Sequence, residues 1–410
     1  MIGLALFVYI RPEHTRKVME SIKRNGFDKI YIFQDGLRKE EDRENWEKVS
    51  AFVKSMDLIG AEIHISKKNK GLANSIMEGM DYVFQRHEMA VALEDDVVLA
   101  DGYKGLMESC FAKYRNNPQV VSICGGGYGT LVPEKYPYDI FFAYRMSSVA
   151  FGTWRDRWEG FQRDPLLLKK VMANPKKKAM LELAGNDISA MSYEALKGNI
   201  DTWATYWSLY QINRMGYHVI PVKGYARDIG RDGTGTNTTH RIYRYDIELD
   251  GRKKEKYLLP DEIFVDKAII HDTNDLVHIP KPEDKYKSYV DILVKWMTIY
   301  RNGGTIQSYF KDFGIKEVYI YGTGKIASFA AGDLNAKVDI KGYLVEVKQE
   351  ERYLDAPVYD MQDDLALEDI PILLIPAYDV RYISHLFRKK GIENQVLLIG
   401  EILDYCLKLL

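Results

Sequence analysis

Val91-Ala92-Leu93-Glu94-Asp95-Asp96-Val97-Val98 is the stretch on which the reading of this chain turns. Ala90–Leu93 is apolar and reads as a short buried strand, so the three acids fall at its carboxyl end. Three adjacent carboxylates repel one another unless a cation compensates them. Hard divalent cations take carboxylate oxygens together with phosphate oxygens, as a metal-bound nucleotide diphosphate supplies. A solvated acidic turn is the plain alternative, and the surrounding pattern must decide between the two.

Upstream, strand-like and helix-like segments alternate. Leu4–Ile10 is continuously apolar, His14–Lys23 has helical spacing, and Lys29–Phe33 is apolar and β-branched before Gln34-Asp35-Gly36. Asn45–Met56 reads as a helix, Glu62–Ile65 as a strand and Leu72–Phe84 as a helix. Alternation with short apolar strands predicts an α/β fold, a parallel sheet covered by helices on both faces. Ligands of such sheets bind at the carboxyl ends of the strands, where Arg11, Asp35, Asp95 and Asp96 all fall. The apolar start, Ile2 to Ile10, lacks a basic leader and is too short to span a bilayer, so it reads as a first strand rather than a signal peptide.

Downstream, residues 120 to 250 are less regular, with loop signals at Gly125-Gly126-Gly127 and at Asp232–Thr236. Tyr286–Tyr300 has helical periodicity and ends at Gly303-Gly304. A second α/β pattern follows, with strands at Glu317–Tyr321, Ile340–Val345, Ile372–Ile375 and Gln395–Ile399 and a helix at Ile326–Leu334. The expected organisation is a main domain over residues 1–250, a connecting segment with a helix over 251–304, and a smaller α/β domain over 305–410.

At 410 residues and 46% hydrophobic, the chain can fill two or three cores. Its net charge of −2 gives no global pull toward nucleic acid, and no nucleic-acid partner is expected. Cys110, Cys124 and Cys406 are few, scattered and odd in number, which argues against a disulfide framework or a zinc site and for a reducing, cytoplasmic setting.

With these residues in place, the acidic run resembles the Glu-Asp-Asp metal motif of GT-A fold, family-2-like glycosyltransferases. Tyr9-Ile10-Arg11-Pro12, Asp35-Gly36, Asn69-Lys70-Gly71-Leu72-Ala73-Asn74-Ser75, Gly152-Thr153-Trp154, Asp201-Thr202-Trp203 and Asp228-Ile229-Gly230 with Thr238-Thr239-His240 resemble further family elements, in order, over residues 1 to 245. The resemblance implies a mixed Rossmann-like sheet, a nucleotide-diphosphate sugar donor and Mn2+ or Mg2+. Asp96 would contact the metal, Asp95 the ribose or a metal-bound water, and Glu94 the donor sugar, while Arg11, Asp35 and Asn74 would belong to the donor site. Asp201 would be the general base of an inverting hexosyl transfer; its alternative is the N-cap of a helix over Thr202–Arg214. Trp203 suits acceptor stacking or burial. His240 would be a second metal ligand, or a surface residue.

Gly322-x-Gly324-x-x-Ala327 after a strand matches a dinucleotide fingerprint, with Glu346 where a ribose-binding acid would sit, although a tight turn needs the same glycines. The region resembles Rossmann-like modules appended to bacterial glycosyltransferases, which implies an interaction or regulatory role and a route to a homo-oligomer. The implied acceptor is a glycan, lipid-linked or protein-linked, in bacterial surface polysaccharide or glycoprotein assembly. Lys169-Lys170, Lys176-Lys177-Lys178 and Arg252-Lys253-Lys254 would suit a peripheral membrane contact or a solvated face. The competing functions are a non-catalytic nucleotide-sugar binding protein, an NAD-dependent oxidoreductase working through the C-terminal domain, and a sugar nucleotidyltransferase. The last needs a glycine-rich loop after the first strand, where Arg11-Pro12-Glu13-His14 stands instead.

Overall fold

Strand β1 (Ile2–Val8) is buried at every position, as its unbroken apolar sequence requires. The computed structural model describes residues 1–55, 60–232, 244–334, 337–376 and 378–410. From β1 the chain runs through helix α1 (Pro12–Asn25) to β2 (Lys29–Gln34), then through α2 (Arg43–Ser55) to β3 (Ala61–Ile65). Helix α3 (Leu72–Phe84) carries it back to β4 (Met89–Glu94). Pro12 opens α1, where its missing N–H is not needed, and Gly26 in the left-handed region closes it.

These four strands are parallel, in the order β3-β2-β1-β4. The winding reverses at β1, with β2 and β3 on one side and β4 on the other. Connections therefore diverge between β1 and β4 and leave a crevice at their carboxyl ends. The register pairs Phe7 with Glu94, so the acids begin level with the end of β1.

Past β4 the sheet is mixed. The chain continues through β5 (Val97–Leu99), α4 (Tyr103–Tyr114), β6 (Val120–Ile123), β7 (Ile140–Ala143), β8 (Phe151–Trp154), β9 (Tyr217–Pro221) and β10 (Ala226–Asp228). The full sheet order is β3-β2-β1-β4-β8-β6-β9-β7, with β8 antiparallel to β4 and β6, and β7 antiparallel to β9. The purely parallel sheet expected from the first hundred residues thus covers only half of it. Gly152 lets α4 lie close on β8, since a Cβ there would stand 2.4 Å from Met107 Cε. A separate ribbon pairs β10 antiparallel with β5 and sets Asp228 opposite Val97, next to the acids.

Helices between β8 and β9 are fastened to the sheet by a buried ion pair. Arg145, just after β7, donates to both carboxylate oxygens of Asp187 at 2.7 Å and to the Ala184 carbonyl at 3.2 Å. Beneath the crevice, Phe151, Trp158, Phe161, Trp203 and Trp207 pack ring against ring, with centroids 5.0–6.5 Å apart. Trp203 is therefore a core residue, 3% exposed, rather than a platform for an acceptor.

By contacts the chain divides into Met1–Val277 and His278–Leu410. The second unit is a smaller α/β domain built on β11 (Glu317–Tyr321), β12 (Asp339–Val345), β13 (Arg352–Tyr353), β14 (Ala356–Asp360), β15 (Ile372–Leu374) and β16 (Val396–Leu398). Their order is β13-β14-β12-β11-β15-β16, parallel except for β13. Gly322, at φ 107°, makes the turn from β11 into the helix Lys325–Leu334, a conformation that L side chains avoid. Glu346 follows β12 and accepts a hydrogen bond from the Tyr382 hydroxyl at 2.7 Å. The chain is thus α/β throughout, a large mixed sheet with flanking helices and a smaller second sheet.

Replacing Arg145 by Ala leaves the Asp187 carboxylate buried without its cation, a situation that costs about 3–5 kcal/mol. Urea unfolding of Arg145→Ala should show a loss of that order; a loss below about 1 kcal/mol would show that water replaces the guanidinium freely.

Candidate active site

A cavity of about 360 Å³ opens at the carboxyl ends of β1 and β4. Arg11, Asp35, Glu94, Asp95, Asp96 and Asp201 all line it, together with Asp228 and Gly230 from the segment after β10. That volume lies in the range of small-ligand sites.

Arg11 is the counter-ion of the acidic run. Its Nη2 stands 2.5 Å from Asp95 Oδ1 and 2.7 Å from Asp96 Oδ2, and the carboxylates hold the guanidinium well above its ordinary pKa against the opposing effect of burial. Asp95 also accepts from the Tyr9 backbone N–H at 3.3 Å. Asp96 has its carbonyl tied to the Ile229 N–H at 2.8 Å. A Cβ on Gly230 would lie 2.1 Å from Asp96 Oδ2 and 2.7 Å from Arg11 Nη1, so only glycine lets this segment close over the pair.

Charge is not balanced here. Burial, then the negative charges of Asp96, Asp228 and Asp95, push the Glu94 carboxyl up to about 8. Burial pushes Asp96 up to about 7, with Asp228 and Asp95 adding to the effect and Arg11 opposing it. Asp228 itself is held by Arg231 Nε at 2.9 Å and by the Gly230 N–H at 2.8 Å. Excess hard carboxylate of this kind fits a divalent cation in charge and donor chemistry. Among the described residues, however, no three His, Cys, Asp or Glu side chains are grouped to hold a metal by themselves. His240 lies outside the described residues.

The N-terminus of α3 forms the opposite wall. Asp35 accepts from the N–H groups of Gly36, Lys70 and Gly71 at 2.8–3.1 Å, so its carboxylate ties β2 to the start of α3. Asp201 Oδ2 faces the same helix end, 3.4 Å from the Ala73 N–H, where an anion is favoured by the helix dipole. The helix over Ala204–Asn213 has no side-chain cap, so the local N-cap reading of Asp201 does not hold. Arg163 donates to Asp201 Oδ1 and to Asn74 Oδ1, each at 2.6 Å, and thereby joins both residues. Asn74 stands beside the cavity rather than in its lining, which at this end is Asn69, Gly71, Leu72 and Ser75.

Two participants escaped the sequence reading. Asp228 was visible only as part of a loop motif, and Arg163 carries no motif at all. Of the lysine clusters, Lys170 pairs with Asp164, Lys178 with Glu182 and Lys254 with Asp139. No helix among the described residues is long and apolar enough to cross a membrane.

Solved structures with partial similarity include a mannosyltransferase, PcManGT, from Pyrobaculum calidifontis in complex with GDP-Man and Mn2+, at 10% identity and TM-score 0.31, covering 52% of this chain and 73% of that one. A putative glucose-1-phosphate thymidylyltransferase from Bacillus anthracis in complex with sucrose aligns at 11% identity and TM-score 0.28, over 58% of this chain and 94% of the other. A UDP-glucose pyrophosphorylase complexed with UDP-glucose aligns at 11% identity and TM-score 0.30, over 56% and 94%. No family model and no curated protein matches the chain. The functional reading therefore rests on the cavity.

Glu94 and Asp96 hold protons more tightly folded than unfolded. Below about pH 4 both states are protonated and nothing is lost; stability then falls as pH rises through about 7 and 8, where the buried groups must ionise. The melting temperature of the metal-free protein should fall across that window, and Glu94→Gln should flatten the fall. An unchanged slope in Glu94→Gln would remove Glu94 as its source.

Proposed function

We propose that the Met1–Val277 unit is a metal-dependent, inverting glycosyltransferase that moves a hexosyl group from a nucleotide-diphosphate sugar to a glycan or glycoconjugate acceptor. The observation that carries this reading is the convergence of Arg11, Glu94, Asp95, Asp96 and Asp201 on one cavity at the strand ends. In sequence order these residues sit in the elements that resemble the GT-A family. We assign His278–Leu410 an accessory role, and place the protein in the cytoplasm acting on bacterial surface polysaccharide or glycoprotein intermediates.

Transfer needs a deprotonated acceptor, an aligned anomeric carbon and a stabilised leaving group. Asp201 takes the proton of the acceptor hydroxyl as its oxygen attacks the anomeric carbon from the face opposite the diphosphate. The bond from that carbon to the phosphate oxygen breaks, and its electron pair leaves with the diphosphate. Arg163 holds Asp201 in place through Oδ1, while Oδ2 accepts a long bond from the Ala73 N–H at the start of α3. Glu94 orients donor hydroxyls, and Asp95 the ribose. Asp96, with His240, would hold a divalent cation, whose chemistry is charge stabilisation of the departing diphosphate. The guanidinium of Arg11 bridges Asp95 and Asp96 and offsets their mutual repulsion before the donor arrives.

Thermal shifts against nucleotide diphosphates and NAD, each with and without Mn2+, test the donor site. A ligand at a hundred times its Kd adds about 2.7 kcal/mol. One nucleotide diphosphate should stabilise the protein only with Mn2+, and Asp96→Ala should lose that shift. A shift with NAD alone, indifferent to metal, would move the chemistry to the second unit.

Asp201→Asn should keep the donor-induced shift while transfer drops on the order of 10²–10⁴-fold. Undiminished turnover in that variant would place the base elsewhere.

A further inference from the structure

The helix Pro282–Arg301 has two apolar faces but a partner for only one within its unit. Ile292, Trp296 and Ile299 enter the core of the second domain with Ile402 and Leu403. A second stripe, Tyr286, Val290, Leu293, Met297 and Tyr300, faces solvent with Val294 beside it, each residue between 44% and 70% exposed. The steps between the five are four, three, four and three residues. That is the seam spacing of packed helix pairs, in which apolar residues recur every 3.5 positions on average. A lone helix packing once on its own domain has no need of it.

We propose that this stripe is the self-association surface of the protein, formed by two copies of the helix packed antiparallel about a two-fold axis at Leu293. Symmetry sets Leu293 against its own copy and Tyr286 against Tyr300, with Val290 within one residue of the level of Met297. Phe329, 48% exposed, packs on Trp296 and Tyr300 and widens the patch at one end. Taking large side chains as ~150–250 Å², the patch offers roughly 700 Å² per copy. A stable interface takes about 800 Å² from each partner, whereas the largest apolar patch of an ordinary monomer spans about 300–600 Å².

Charge selects the antiparallel arrangement. Glu283 in the first turn and Arg301 at the last position lie along the same edge of the stripe, and among the described residues neither forms an ion pair in its own chain. Reversal about Leu293 brings each Glu283 within two residues, about 3 Å of helix rise, of the level of Arg301 of the partner subunit, within reach of both long side chains and twice per dimer. The helix dipoles then also run in opposition. Parallel packing would instead align Glu283 with Glu283 and Arg301 with Arg301.

Sedimentation velocity of the full chain across a dilution series tests this surface independently of any sugar transfer. The species at high concentration should have twice the 47.4 kDa chain mass. Leu293→Glu, at an exposed position, should give the monomer with an unchanged circular dichroism spectrum. Glu283→Arg should weaken the dimer, and Glu283→Arg combined with Arg301→Glu should restore it. A wild-type chain that stays monomeric throughout, or a dimer that survives Leu293→Glu, would overturn the proposal, the latter by placing the interface elsewhere.

Discussion

Two guanidiniums against a surplus of carboxylates govern the first domain. Glu94, Asp95 and Asp96 stand where β4 ends and Asp228 is added from β10; Arg11 answers Asp95 and Asp96 from the end of β1, and Arg231 answers Asp228. The sheet could not place such groups at the middle of a strand, where backbone and neighbours would bury them without compensation. At the point where the winding reverses, water, backbone N–H groups and a bound ligand can all reach them. The carboxylates outnumber the guanidiniums, and Glu94 and Asp96 respond by holding their protons, up to about 8 and about 7.

Around this point the domain supplies rigidity in two layers. Below the cavity, the rings of Phe151, Trp158, Phe161 and Trp207 lock β8 to the helices that follow it. Beside it, the start of α3 is gripped by Asp35 and faced by Asp201. Arg163 then joins Asp201 to Asn74, so the two residues move as a unit. Such cross-links keep a polar site in one geometry at little entropic cost on ligand arrival.

What the sequence disclosed follows from how local each signal is. Leu72–Phe84 and Glu317–Tyr321 have the predicted bounds because glycine turns, Gly71 and Gly322, stand beside them. The acids and Arg11 could be assigned to one cleft because β1 and β4 are both short apolar runs whose ends are plain. The antiparallel half was not legible: β6, β7 and β8 are buried strands of four residues, and stretches so short do not declare their neighbours. Asp228 reaches the acids only through the pairing of β10 with β5, more than a hundred residues apart in sequence. Asp201 misled at short range, since its true contacts are with α3 and Arg163 rather than with the helix that follows it.

The aromatic floor has an optical consequence. Of the six tryptophans, Trp46, Trp154, Trp158, Trp203 and Trp207 belong to the first unit, and Trp296 alone to the second. Trp46 donates to the Asp35 carbonyl at 2.7 Å and Trp158 to Asp81 of α3 at 2.6 Å, which sets two indoles on the frame of the cavity. Intrinsic emission of the whole chain is thus weighted toward the first unit, while Trp296, bonded to Asp333, is a single reporter for the other. The protein carries its own spectral label for each half.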